Sequence, residues 1–175
     1  MLVLGVDPGT ATTGYGLVHA FGERLAAVEF GVLRTAAGTP LPQRLLALHG
    51  ALSDLLRRSR PDCVAVELLF LTRNARTAMA VGQARGVVLL ACAEAGLPVA
   101  EYSPLAVKKA VGYGRGPKAQ VQEMVRILLA LDAPPRPDDA ADALAVALCH
   151  CQAEAARRAL AGSLARAVGG PSAAH

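Results

Sequence analysis

The chain has 175 residues, of which 53% are hydrophobic and only 3% aromatic, and its formal net charge is +4. This length favours a single domain with a core of small aliphatic side chains, and the high hydrophobic content excludes a mostly disordered chain. No apolar run reaches the ~20 residues that cross a bilayer, and the start lacks a basic signal segment, so we expect a cytoplasmic protein without a membrane partner.

The N-terminal third of the sequence predicts three strands and one helix. Residues 2–6 form an apolar run that ends in Asp-Pro-Gly, and residues 13–20 and 25–33 have the Val, Tyr and Phe content of two further strands. We expect these strands to form an antiparallel meander that turns at Gly22. A helix with leucines on one face and arginines in its last turn follows.

The rest of the sequence alternates strands and helices. Strands are predicted at residues 63–66 and 97–101, and helices at residues 75–94, 104–111, 118–131 and 139–158. Three antiparallel strands followed by this alternation predict an α/β domain with a mixed sheet flanked by helices. We expect a single domain over residues 1–160 and a loose tail rich in small residues over 161–175.

Two carboxylates each end an apolar strand. Asp7 follows the first strand, and Glu67 follows the strand at residues 63–66. A charge at a buried strand end is costly without a partner, and sites form at the carboxyl ends of strands in α/β sheets. A turn-capping role is the alternative for Asp7, because Asp-Pro-Gly is a typical turn sequence.

Two further carboxylates lie three residues apart at the start of the last predicted helix. Asp139 and Asp142 project from one face of its first turn, where the helix dipole favours ionised carboxylates, and Asp138 is predicted as the N-cap. An acidic first turn on a solvated helix is the alternative. The apolar continuation at residues 143–148 favours a buried helix, which leaves little room for a purely solvated acidic start.

Four carboxylates of this kind predict a metal-dependent nuclease. Hard oxygen ligands suit Mg²⁺, with Mn²⁺ as a substitute, better than they suit zinc. Two such ions about 3.5–4 Å apart can activate a water and stabilise the leaving oxygen of a phosphodiester. The catalytic and metal-binding residues that we predict are Asp7, Glu67, Asp139 and Asp142.

The lysines of the chain cluster in one region. Lys108, Lys109 and Lys118 flank a glycine-rich loop at residues 112–116, whereas the other basic residues are arginines. Such a cluster can hold backbone phosphates through point charges. An exposed basic loop without a ligand is the alternative.

The four cysteines do not follow a metal-binding spacing. Cys149-His150-Cys151 lacks the CxxC pattern and a second ligand pair, and Cys63 and Cys92 lie in apolar runs. We therefore expect buried, reduced thiols, with a zinc site as the alternative.

Several short motifs follow one another in a specific order along the chain. They are Asp7-Pro-Gly-Thr, Thr13-Gly14-Tyr15-Gly16, Glu67-Leu68-Leu69-Phe70, Asn74, Gly82-Gln83-Ala84-Arg85-Gly86, Lys108, Gly112-x-Gly114, Lys118 with Gln120-Val121-Gln122, and Asp139-Ala140-Ala141-Asp142-Ala143. Together, in this order and spacing, they resemble the RuvC family of Holliday-junction resolvases. The resemblance extends from about residue 1 to His150, which is most of the chain.

This resemblance implies a ribonuclease-H-like fold and a homodimer that binds a four-way DNA junction. It also implies paired, symmetric nicks made with two metal ions per site, and partners similar to the branch-migration proteins RuvA and RuvB. The family's catalytic carboxylates match the four predicted above, although some members place a His at the position of Asp139.

The resemblance also implies a set of DNA contacts. Phe70 matches an aromatic residue that contacts unstacked bases near the crossover, a type of stacking that contributes about 1–3 kcal/mol per base. Lys108 and Lys118 match basic residues near the scissile phosphate. The DNA-binding residues that we predict are Phe70, Arg73, Arg76, Lys108, Lys109 and Lys118.

A stripe of small residues runs along the predicted helix at residues 75–94. Ala75, Ala78, Gly82 and Gly86 share one face, although each glycine inside a helix costs up to ~1 kcal/mol. Close approach of another backbone would compensate. The sequence leaves open whether that backbone belongs to a second copy or to this chain's own sheet.

Two functional alternatives share parts of this pattern. A nucleotide-binding domain of the actin and sugar-kinase type also has a strand followed by Asp-x-Gly-Thr, but that architecture requires two such domains. A single-domain nuclease that acts on other DNA or RNA substrates would use the same fold.

Overall fold

The computed structural model describes residues 1–68, 75–112 and 118–168, without the side chains of Arg76, Lys118 and residues 165–168. The strands are β1 (Leu2–Asp7), β2 (Thr12–Phe21), β3 (Arg24–Arg34), β4 (Cys63–Glu67) and β5 (Val99–Tyr102). The helices are α1 (Leu41–Ser59), α2 (Ala75–Glu94), α3 (Pro104–Ala110), α4 (Lys118–Leu128) and α5 (Asp138–Val168). None of these helices is long and apolar enough to cross a bilayer.

The five strands form one mixed sheet in the order β3-β2-β1-β4-β5. β1, β2 and β3 are antiparallel neighbours, whereas β4 pairs in parallel with β1 on one side and with β5 on the other. This arrangement confirms the predicted α/β class with three antiparallel strands followed by parallel ones. It also places β1 and β4, the strands that end in Asp7 and Glu67, side by side at the centre.

The two faces of the sheet are covered by different helices, because side chains alternate along each strand. Leu4, Val6, Val64 and Val66 are fully buried in a cluster with residues of α1 and α2. Their neighbours in sequence point the other way, into a cluster built with α3, α4 and α5. The domain therefore has three layers, with the sheet in the middle.

Two predicted helix ends differ from the structure by three residues or more. Helix α5 continues to Val168, ten residues past the predicted end at Arg158, so residues 161–168 of the predicted loose tail are helical. Helix α4 ends at Leu128, before the predicted residue 131, because Ala130 adopts a left-handed conformation with φ of 50°. The division into a domain at 1–160 and a tail stays a prediction, and residues 169–175 lie outside the described part.

Candidate active site

Asp7 and Glu67 lie beside each other at the centre of the sheet. β1 and β4 are parallel and Val6 pairs with Val66, so the next residue of each strand is the carboxylate. On β4, Cys63 and Ala65 face the α5 side, and the alternation of side chains directs Glu67 to that side as well. Both carboxylates are partly exposed.

Glycines in β1 and β2 let helix α5 approach the same face of the sheet. A Cβ atom added at Gly5 would lie 2.0 Å from the carbonyl oxygen of Ala143, and one added at Gly14 would lie 1.9 Å from that of Asp139. Gly14 is the residue that pairs with Asp7 across β1 and β2. The first turn of α5 is therefore seated directly over the strand residue opposite Asp7.

Three of the four predicted carboxylates line one cavity of about 370 Å³. They are Asp7 from β1, Glu67 from β4 and Asp142 from α5. Lys108 of α3 lines the same cavity and supplies a positive charge among these acids. The rest of the lining is apolar and comprises Pro104, Val107, Val111, Val121 and Ala145.

Asp139 lines a second cavity, of about 460 Å³, on the side of the β1–β2 loop. Its other walls include Thr10, Thr12 and Thr77. Within the described residues, no three His, Cys, Asp or Glu side chains are grouped so that they could hold one metal ion. The structure thus places Asp7, Glu67 and Asp142 around one cavity and Asp139 in the wall of another.

The residue next to Asp139 has a role that differs from its prediction. Asp138 is the first residue of α5 and not the cap that precedes it, because the carbonyl of Pro137 accepts the bonds from Ala140 and Ala141. The Asp138 carboxylate instead accepts a hydrogen bond of 2.6 Å from the side-chain amide of Gln122 on α4. Asp138 is therefore not added to the four predicted site carboxylates, although it lies next to Asp139.

The structure describes only some of the predicted DNA contacts. Lys108 and Lys109 are exposed on α3. Phe70 and Arg73 lie outside the described residues. Helices α2 and α4 contain the backbones of Arg76 and Lys118, but these two side chains lie outside the description too.

A buried polar network joins α5 to β4 and β5. His150 of α5 is 5% exposed, and its two ring nitrogens are 3.1 Å from the sulfur of Cys63 and 2.9 Å from the hydroxyl of Tyr102. Burial lowers the pKa of His150, so the ring is neutral at pH 7. A neutral imidazole has one donor and one acceptor, which matches one bond to β4 and one to β5.

The cysteines are free thiols, as predicted. All four are buried and none forms a disulfide. Burial raises the pKa of Cys63 and of Cys151 to about 11, so both are protonated at neutral pH. Metal ligation requires thiolates. Buried, reduced thiols therefore explain these cysteines better than a zinc site does.

Another cavity, of about 550 Å³, lies elsewhere. It is lined by the ends of α1 and α2, including Arg57, Arg60 and Glu94, and by Pro61 just before β4. Pro61 lies before the start of β4, whereas Glu67 lies at its end. This cavity is therefore at the opposite end of β4 from Glu67. None of the residues predicted to bind metal or DNA lines it.

Known proteins are similar to this chain over most of its length. Residues 3–150 match the family model described as crossover junction endodeoxyribonuclease RuvC. The chain belongs to the RuvC family. The match begins in β1 and ends within α5, so it includes every carboxylate described above.

Individual RuvC proteins are similar over nearly the same length. The crossover junction endodeoxyribonucleases RuvC of Pelotomaculum thermopropionicum and Chloroflexus aurantiacus are each 58% identical over 151 residues, which cover 86% of this chain and 92% of theirs. Among solved structures, Thermus thermophilus RuvC in complex with a Holliday junction substrate has a TM-score of 0.80 and 40% identity, over 90% of this chain and 96% of that one.

A more distant structure supports the fold alone. The yeast mitochondrial Holliday junction resolvase Ydc2 has a TM-score of 0.61 with 14% identity, over 87% of this chain and 80% of that one. The RuvC family assignment, together with this likeness, confirms the predicted ribonuclease-H-like fold. It also decides against the nucleotide-binding alternative of the actin and sugar-kinase type.

Proposed function

We propose that this protein cuts four-way DNA junctions by metal-assisted phosphodiester hydrolysis at the cavity formed by Asp7, Glu67 and Asp142. The observation that carries the proposal is that these carboxylates come from three different elements and line one space together with Lys108. Loops and strand ends of a rigid sheet are where catalytic groups are held in position.

The chemistry of the donor groups fits a hard divalent cation. Carboxylate oxygens are preferred by Mg²⁺ and Mn²⁺, and Asp7, Glu67 and Asp142 would supply such oxygens to cations bound in the cavity. Asp139, one helical turn before Asp142, would contribute to a second site. Bound cations supply Lewis-acid activation of a water and stabilise the leaving oxygen.

The protein's own residues position the DNA strand. Lys108 is placed to hold a phosphate oxygen beside the carboxylates, because this residue lines the same cavity. The apolar lining of Val107, Val111 and Val121 excludes water from one wall. A strand held between this wall and the carboxylates presents its phosphate to them.

The four-way junction is the substrate that the comparisons support best. Thermus thermophilus RuvC, solved with a Holliday junction, is 40% identical and its fold superposes over 90% of this chain. The net charge is +4, and the chain without its four predicted site carboxylates would carry 18 basic against 10 acidic residues, a charge of +8, which suits the DNA backbone. No described contact bears on RuvA or RuvB, so those partners stay a prediction of the resemblance.

We further propose that the chain acts as a homodimer through the exposed face of α2. A Cβ atom added at Gly82 or Gly86 would meet nothing within 4 Å, so this chain's own sheet does not require these glycines. Met79 and Leu90 of the same helix are 67% and 52% exposed. A second copy packed on this face would bury them and place two nuclease sites in one particle, as paired nicks require.

The dimer is tested by measuring molar mass in solution. Gly86→Arg should convert dimer to monomer, whereas Gly50→Arg on α1 is a matched control, because the space at Gly50 is equally open. A dimer that survives Gly86→Arg, or a wild-type monomer at cleavage concentrations, would refute the interface.

The nuclease site is tested by separating binding from cutting. Asp7→Asn, Glu67→Gln and Asp142→Asn should each abolish cleavage of a four-way junction in Mg²⁺ while they keep junction binding, because basic residues supply the affinity. Asp54→Asn is the control, since Asp54 is an exposed acid paired with Arg57 on α1. Wild-type cutting by any of the three site variants would remove that residue from the proposed machinery.

A further inference from the structure

Helix α4 forms one wall of the carboxylate cavity, but its two halves are held very differently. In the second half, Val125 and Leu129, the residue just after the helix, are buried in the core. Arg126 also ties this end to the chain that follows by donating to the carbonyl oxygen of Leu131. In the first half, residues 119 and 120 are exposed and Val121 is the first buried residue.

One polar contact holds that first half to α5. The side-chain amide nitrogen of Gln122 donates to Oδ1 of Asp138 over 2.6 Å. The acceptor oxygen belongs to the first turn of α5, so the bond joins the start of that helix to the first half of α4.

We propose that Gln122 and Asp138 form a clamp that positions the wall of the nuclease site. Val121, next to Gln122, lines the cavity of Asp7, Glu67 and Asp142. Lys118 is one helical turn before Gln122, so the bond also sets where α4 begins relative to the carboxylates. Gln122 and Asp138 are positioning residues and contact neither the DNA nor the metal.

The clamp distinguishes two adjacent acids of the same helix. Asp139 lines a cavity beside the β1–β2 loop, whereas the carboxylate of Asp138 is engaged by α4. If Asp138 acts only as a hydrogen-bond acceptor, its negative charge is not required. This inference rests on the proposed function, since the wall matters for cutting only if this cavity is the nuclease site.

The test compares four variants of the full chain. The measured quantity is kcat for junction cleavage, at a saturating concentration of the junction. Gln122→Ala, Asp138→Ala and the double variant should each lower kcat by about two- to tenfold, the fold-change expected for one lost hydrogen bond. The double variant should be no slower than either single variant, because all three remove the same contact. Asp138→Asn keeps an acceptor oxygen for the amide and should retain the wild-type rate.

Two controls separate positioning from general stability. Glu123→Gln breaks the exposed Glu123–Arg126 pair inside α4 without touching α5, so its kcat should equal that of the wild type. Junction affinity should change less than twofold in all variants, because the basic surface remains intact. If the two residues had a purely structural role, the variants would have a lower melting temperature, but their kcat measured far below that temperature would equal that of the wild type.

Other outcomes would overturn the clamp. If Asp138→Asn is as slow as Asp138→Ala while Gln122→Ala cuts normally, Asp138 acts through its charge and the clamp is wrong. Amide hydrogen exchange gives a readout that does not depend on cutting, since Gln122→Ala should accelerate exchange at the start of α4 and Asp138→Asn should not. Unchanged exchange refutes the clamp, whereas wild-type protein that fails to cut any junction refutes the proposed function.

Discussion

The close approach of α5 to the sheet predicts the effect of a single added methyl group. In Gly14→Ala the new Cβ atom would lie 1.9 Å from the carbonyl oxygen of Asp139 and 2.5 Å from its carbonyl carbon. Ordinary carbon–oxygen contacts are about 3.3 Å or longer, so the first turn of α5 must move away by about 1.4 Å. Asp139 and Asp142 are both near this turn and would move with it.

A displacement of this size is large for a catalytic group. A misplacement of about 1 Å can cost about 100-fold in rate, so we expect cleavage of a four-way junction by Gly14→Ala to fall by about that factor. Overpacking of this kind also costs about 1–3 kcal/mol of folding free energy. For a domain of this size, that corresponds to a melting temperature about 2–12 °C lower.

The assay measures the single-turnover cleavage rate and the melting temperature of the same preparations. Gly50→Ala is the matched control, because nothing lies within 4 Å of a Cβ atom there. Alanine in place of a helical glycine should stabilise that variant by up to ~1 kcal/mol and leave its rate unchanged. A Gly14→Ala protein with wild-type rate would show that the seating of α5 on β2 does not set the nuclease site.

Two further predictions concern His150 and the cysteines, which are buried in the core. Burial lowers the pKa of His150, so as pH falls below its ordinary value of about 6.5 the unfolded chain binds a proton before the folded chain does, and stability is lost. The melting temperature of His150→Asn should therefore fall less than that of the wild type between about pH 7.5 and 5.5, and parallel curves would contradict this assignment. The pKa of Cys63 and of Cys151 is raised to about 11 by burial, so thiol titration with Ellman's reagent should be slow in native protein and complete in denaturant. Rapid reaction of all four thiols in the folded protein would show that they are not enclosed as described.

Much of the fold could be predicted because periodicity and local signals agree. Helix α2 has the predicted ends, Ala75 and Glu94. The end of α4 carried no signal, because the left-handed residue that closes a helix is usually Gly and is Ala130 here. The extension of α5 was missed because Gly162 suggested a break, yet the surrounding Ala, Leu and Arg residues are strong helix formers that offset its cost.

The candidate site was only partly predictable, because local sequence patterns do not show which distant elements come together. Strand-end positions predicted Asp7 and Glu67, and helical spacing predicted Asp139 and Asp142; the structure places Asp7, Glu67 and Asp142 around one cavity. Glycines inside strands, such as Gly14, are a sequence signal for close backbone approach, but the pattern does not say which element approaches. Long-range contacts such as Gln122 with Asp138 connect segments that the sequence treats independently, so the structure was needed to find them.

The central claim is that one carboxylate cavity cuts DNA at four-way junctions. The most direct measurement compares cleavage of a four-way junction and of a linear duplex of matched sequence, each with Mg²⁺ and with chelator. We predict paired nicks at symmetric positions of the junction in Mg²⁺ only, no cutting of the duplex, and no cutting of either substrate by Asp142→Asn. Equal cutting of both substrates, or cutting that persists in chelator or in Asp142→Asn, would contradict the account.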